Sequence, residues 1–178
     1  MTTQMPEKMS GQQIQQWEQK YVLHSWSRQE RRKPHVITRA EGNYFWDAEG
    51  NKYLDFTSQF ANANPGHADP RIVEAIVEQA RSLPFVASPF ASEPKAKLGQ
   101  LLAEVTPGDL TKSFFSTGGA EANEAALQIA RLYTKRGKFI SRYRSYHGAS
   151  SGAIALTGDP RTHNAVGMAG VVRAPDCY

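Results

Sequence analysis

Apolar positions recur along this chain at two spacings, and the change from one to the other divides it. Ile14, Trp17 and Tyr21, with Val22 beside them, fall three and four apart, the spacing of one face of a short helix. Residues 43–46 and 52–56 are aromatic-rich runs on either side of a Gly-containing turn, which predicts a β-hairpin. The Asn-, Pro- and Gly-rich stretch 62–67 reads as a loop. Asp69 as N-cap and Pro70 in the first turn then open a helix whose buried stripe is Ile72, Val73, Ile76, Val77 and Ala80. Residues 83–91 carry two prolines among apolar side chains and form an extended connection. Another helix follows Ser92, with Leu98, Leu101, Leu102 and Val105 on one face and a stop at Pro107-Gly108.

From residue 112 the rhythm alternates. Residues 112–116 are short, apolar and aromatic, which predicts a strand. Ala122, Ala125, Ala126, Ile129, Ala130 and Tyr133 mark the clearest helix, ended by Gly137. A second strand over 138–143, a helix over 149–156 and a third strand from Gly170 follow. Strands alternating with helices predict an α/β fold with a mainly parallel sheet covered on both faces.

Composition narrows the function classes. With 178 residues, 40% of them hydrophobic, the chain has the size and apolar content of a folded domain. The net charge of +4 is mild, and much of it sits in Arg28-Gln29-Glu30-Arg31-Arg32-Lys33, which reads as a solvated turn. A nucleic-acid binder would show a wider basic face, so none is expected as partner. The single cysteine, Cys177, excludes an intrachain disulfide and a cysteine-based metal site. The polar start has no apolar core of a secretory signal, and no apolar run is long enough to span a bilayer. A cytoplasmic protein without a membrane partner is the expectation.

The informative stretch is Phe114-Phe115-Ser116-Thr117-Gly118-Gly119-Ala120-Glu121. A strand that runs through two glycines into a helix leaves unpartnered amides and partial positive charge at the corner. Without side chains at Gly118 and Gly119, the corner is a backbone seat for an anion, to which Ser116 or Thr117 can add a hydroxyl. A plain first turn of a helix fits this feature equally well. No G-x-x-x-x-G-K-[ST] and no G-x-G-x-x-G is present, so the P-loop and the dinucleotide fingerprint are absent. Ser145-Tyr146-His147-Gly148 follows the second strand, and carboxyl ends of neighbouring parallel strands converge on one crevice. Tyr146 there suits a planar heteroaromatic ligand, although taken alone it is an ordinary half-buried tyrosine and His147 an ordinary helix-start residue.

With these residues in view, the chain resembles the class III aminotransferases, enzymes of the aspartate-aminotransferase-like fold. The likeness is carried by residues 115–126, by Tyr146-His147-Gly148, by the D-x-x-G-x-x-Y-x-D pattern from Asp47 to Asp55, and by Gly66-His67. It implies fold type I: a mostly parallel three-layer α/β/α sheet preceded by a small-domain helix and β-hairpin. The likeness runs from about Pro34 onward; the polar residues 1–11 read as a flexible start, residues 12–60 as a helix-and-hairpin segment, and residues 61–178 as the first part of a large cofactor-binding domain. The implied cofactor is pyridoxal 5'-phosphate. Gly119 and Ala120 would donate backbone hydrogen bonds to its phosphate, Gly118 would lead in, and Tyr146 would stack on its ring with His147 beside it. The family often has serine where Ala120 stands, so a hydroxyl contact is expected to be lost. Family members work as homodimers; residues 85–90, Phe90 among them, would reach the partner's site, and Phe60 would lie near the substrate entrance. The implied reaction moves an amino group from an amine or ω-amino acid to a 2-oxo acid such as pyruvate or 2-oxoglutarate.

Chemistry on this cofactor needs a lysine to form the Schiff base and an acid opposite the ring nitrogen. In the family both follow later, beyond Tyr178, and no lysine here follows a strand where it would face the ring. The chain therefore reads as a front portion with no catalytic residue of its own, inactive alone, and its alternative is a non-catalytic cofactor-binding or dimerising fragment. An aminomutase or decarboxylase would share the scaffold. A remote alternative is a serine hydrolase, because Gly148-Ala149-Ser150-Ser151-Gly152 fits G-x-S-x-G, with only Asp159 and His163 closely downstream.

Overall fold

The computed structural model describes residues 8–160, 162 and 167–177; the expected loose start falls outside them over 1–7, as does His163. The chain divides into two compact units, Met1–Phe90 and Ala91–Tyr178.

In the first unit, α1 (Gly11–Tyr21) begins where Ser10 and Gln13 exchange side-chain and backbone hydrogen bonds, a reciprocal capping box. Strands β1 (Ile37–Glu41), β2 (Tyr44–Asp47) and β3 (Lys52–Leu54) form one antiparallel sheet in that order. The expected hairpin is β2 and β3, and Phe45 stacks on Tyr53 across it at 5.3 Å. β1 adds a third strand. Its mixed sequence Ile-Thr-Arg-Ala-Glu carries little alternation, so periodicity alone does not reveal it. Asp47, 3% exposed, ties the hairpin turn together: its carboxylate accepts the Glu49 and Asn51 amides, the Asn51 side chain and the Tyr53 hydroxyl at 2.7–3.1 Å.

Next, α2 (Ser58–Ala61) is a single turn in the left-handed region, with φ from +48° to +64° at all four residues. That conformation costs a non-glycine residue about 1–2 kcal/mol. Asp55 offsets it by accepting the amides of Thr57 and Gln59, while its other oxygen lies 2.7 Å from His67 Nε2. His67 in turn exchanges two backbone bonds with Gly42. α3 (Pro70–Ser82) opens as expected, with Asp69 accepting the Arg71 amide.

In the second unit, α4 (Glu93–Val105) and α5 (Gly119–Thr134) are the long helices, and β4 (Phe139–Arg142), α6 (Ser151–Leu156) and β5 (Val171–Ala174) form a βαβ unit with parallel strands. The expected strand over 112–116 does not form. A strand exists only through ladder bonds to a neighbour, and β4 and β5 pair only with each other among the described residues. α5 ends at Thr134, three residues before Gly137, because Lys135 takes the left-handed cap at φ +58° and donates its amide to Arg131.

The core of this unit is the α5–α6 contact, where Leu127, Ala153, Ile154 and Ala155 are buried. Burying Leu127 and Ile154 contributes about 1.5–3 kcal/mol each. Ile140 and Val172, paired in register, are exposed on the strands, whereas buried Ser141 bonds the Leu156 carbonyl of α6.

Burial alone would raise the pKa of Asp47, but the bonds from Asn51, Tyr53 and Glu49 outweigh it and bring it from 3.8 to about 2. A carboxyl depressed on folding adds stability above its unfolded pKa that is lost as the pH falls through the folded value. The variant Asp47→Asn is therefore expected to melt at a lower temperature at neutral pH and to lose less stability between about pH 4 and pH 2. Equal melting points and equal acid limbs by circular dichroism would contradict this.

Candidate functional site

The site expected from the sequence lies in the second unit, at the first turn of α5. Gly118 is its N-cap, in extended conformation, with no side chain capping it. Ala122 is the first residue whose amide returns to the helix, donating to Gly118. The amides of Gly119 and Ala120 precede that bond, so the helix itself supplies them no acceptor. A Cβ built on Gly118 or Gly119 would meet nothing within 4 Å, so space lies open around the corner.

The hydroxyls beside the corner are committed locally. Ser116 Oγ donates to the Gly118 carbonyl at 3.1 Å, and Thr117 donates both its hydroxyl (2.5 Å) and its amide (2.8 Å) to Glu121. These Thr117 bonds hold the Glu121 carboxyl below its ordinary range. The corner thus presents backbone rather than hydroxyl donors.

The loop Tyr146-His147-Gly148 is seated against the same turn. Gly148 is buried with φ +126°, and a Cβ there would lie 2.7 Å from the Cβ of Ala120. Only glycine combines that backbone with that approach. The Asn123 side chain donates to the His147 carbonyl at 2.7 Å, and the His147 amide donates to the wholly buried Thr157 hydroxyl at 3.0 Å. Tyr146 is half exposed, and His147 has both its backbone polar groups engaged.

α6 is held at both ends by side chains from other elements. Glu124, on α5, accepts the Ser150 hydroxyl (2.6 Å) and the amides of Gly152 (2.7 Å) and Ala153 (3.2 Å). The Ser150 bond is the largest influence keeping the Glu124 carboxyl ionised to lower pH, with burial opposing it. At the other end, Arg173 on β5 donates to the carbonyls of Ala155, Leu156 and Thr157 at 2.6–2.7 Å. A carboxylate at the amino end and a guanidinium at the carboxyl end both match the helix dipole. Sequence reasoning missed Glu124 and Arg173, because each acts on an element far along the chain.

Ser150 is accounted for by this arrangement. It is the N-cap of α6, bonded to a carboxylate, and seven residues separate it from the end of β4. A nucleophile elbow places its serine directly between strand and helix. The G-x-S-x-G match is a helix start, and Gly152 is there because a side chain would run into Leu127 and Glu124.

Phe60 and Phe90 lie in the first unit, 91% and 62% exposed. The described residues contain no cluster of three or more His, Cys, Asp or Glu groups suited to a metal, and no helix long and apolar enough to cross a membrane.

The family described as aminotransferase class-III matches residues 25–175. The acetylornithine aminotransferase of Caldanaerobacter subterraneus subsp. tengcongensis is 36% identical over 157 residues, covering 85% of this chain and 38% of that protein. Among solved structures, the taurine:2-oxoglutarate aminotransferase of Bifidobacterium kashiwanohense, in complex with PLP and glutamate, superposes with a TM-score of 0.91 at 39% identity. That match covers 96% of this chain and 39% of the other. An (S)-enantioselective ω-transaminase of Thermomicrobium roseum gives a TM-score of 0.89 at 34% identity, covering 96% and 41%. The chain thus spans about two fifths of the length of the relatives it matches.

Gly148→Ala is expected to destabilise the second unit by about 2 kcal/mol, from the left-handed backbone and the overlap with Ala120. Gly137→Ala, where an added Cβ meets nothing within 4 Å, is the control. Urea midpoints that move equally for the two variants would refute the close approach.

Proposed function

The chain belongs to the class-III aminotransferases, whose cofactor is pyridoxal 5'-phosphate, and from that footing we propose that its second unit supplies the phosphate seat and ring platform of the site. In this reading the amides of Gly119 and Ala120, with Gly118 leading in, receive the dianionic phosphate, favoured by the α5 dipole. Tyr146 offers its ring face to the pyridine, with His147 beside it. One observation carries the reading: an open glycine corner with unreturned amides and a buried Gly148 holding the Tyr146 loop against Ala120.

When bound, this cofactor acts as an electron sink for bonds to the amine carbon. The residues present bind and orient it; none moves the proton. Of the chain's nine lysines, Lys135 lies at the opposite end of α5, about 24 Å along the helix from Gly119 by its 16 residues. Lys138 precedes β4, at the amino end of the strand, and Lys97 pairs with Glu93. In the reading proposed, the lysine and the acid for the ring nitrogen belong to sequence beyond Tyr178.

For the whole protein the proposed reaction is transfer of an amino group from an amine or ω-amino acid to pyruvate or 2-oxoglutarate, in a cytoplasmic homodimer. Residues 85–90, with Phe90, would face the partner's site and Phe60 the substrate entrance. The relatives named above support amine and 2-oxo acid substrates.

The chain is expected to bind pyridoxine 5'-phosphate, which has no aldehyde to label surface lysines, more tightly than inorganic phosphate by calorimetry. With an amine donor, pyruvate and pyridoxal phosphate it is expected to give no turnover above that of the free cofactor. Equal affinity for the two ligands would refute the site, and turnover above background would refute the inactivity of the chain alone.

A further inference from the structure

Resting on that reading of the corner, we infer that Asn123 is a positioning residue that couples the Tyr146 platform to the phosphate seat. Asn123 lies four residues beyond Gly119, one turn along the same helix, about 6 Å from the corner. Its Nδ2 donates to the His147 carbonyl at 2.7 Å, a bond spanning 24 positions of sequence. The His147 amide donates to the Thr157 hydroxyl at 3.0 Å. Both polar backbone groups of His147 are thus fixed, one by α5 and one by the residue after α6.

Thr157 is itself immobilised. It is fully buried, and its single hydroxyl proton has the Ala153 carbonyl at 2.9 Å or the Gly148 carbonyl at 3.3 Å as acceptor. Gly148 is pressed on Ala120, in the first turn of α5. Tyr146 is the residue just before this fixed peptide. Its backbone therefore takes its position from α5 through Asn123, while the phosphate amides take theirs from the first turn of the same helix.

The next residue on α5 does a different job. Glu124 holds the start of α6, through the Ser150 hydroxyl and the amides of Gly152 and Ala153. The division makes a specific demand. Loss of the Asn123 bond removes the ring's share of the binding and spares the phosphate's share, because Gly119 and Ala120 still open the helix. A residue needed only for folding would weaken both ligands together.

The test is the ratio of affinities for pyridoxine 5'-phosphate and inorganic phosphate, measured by calorimetry on the full 178-residue chain. Asn123→Ala is expected to lower that ratio about tenfold, the scale of one aromatic stacking contact, with phosphate affinity unchanged within about twofold. Asn123→Leu, close in shape, neutral and unable to donate, is expected to lower it likewise, and it decides the matter should the alanine variant fail to fold. A ratio kept at the wild-type value in a folded variant, or both affinities falling in step, overturns the inference. A wild-type chain with no preference for the pyridine ligand overturns the site reading instead, and this inference with it.

Discussion

The second unit depends on an absent side chain. At Gly148 the backbone turns through a left-handed angle while lying against the first turn of α5, and a Cβ there would overlap Ala120. Any larger residue would lift the Tyr146 loop from the helix start. That contact, together with the Asn123 bond to the His147 carbonyl, keeps the two features read as functional, a backbone corner and an aromatic residue, on the same helix start. The same economy applies one helix further on, where Gly152 lets α6 close on Leu127. Small residues at these crossings set the spacing, and the buried Ala153, Ile154 and Ala155 fill it.

Closeness of that kind leaves polar groups to be satisfied. A six-residue helix has more unpaired amides and carbonyls at its ends than bonds within it, and α6 is largely buried. Glu124 and Arg173 meet that demand from neighbouring elements, with the Ser141 hydroxyl adding to the Leu156 carbonyl. This accounting also removes the hydrolase alternative, because Ser150 is spoken for as part of a cap. A sequence pattern that matches a catalytic motif is here the signature of a helix beginning against another helix.

Much of the fold was legible before any coordinates. The alanine-rich stripe of α5, the Asp69-Pro70 start of α3 and the aromatic hairpin carry strong local signals, and each appears close to its expected bounds. The glycine corner was legible as a candidate through its glycines ahead of a helix, and Tyr146-His147-Gly148 through its place after a strand. What escaped depends on distant partners. Residues 112–116 have strand-like composition yet no strand beside them, and β1 has a strand's neighbour yet no strand-like pattern. Nothing local in Ser58–Ala61 signals a left-handed turn, which Asp55 and His67 hold from either side. The bonds from Asn123 and Glu124 join positions 24 to 29 apart, beyond the reach of periodicity.

The central claim is that backbone amides at the start of α5 receive a phosphate whose attached ring meets Tyr146. Amide chemical shifts, followed by nuclear magnetic resonance during titration with pyridoxine 5'-phosphate, test it most directly. The account predicts that Gly119 and Ala120 move farthest, with Tyr146 and His147 responding to the pyridine ligand but not to inorganic phosphate. Shifts that leave Gly119 and Ala120 in place, or that cluster on another part of the chain, would contradict it.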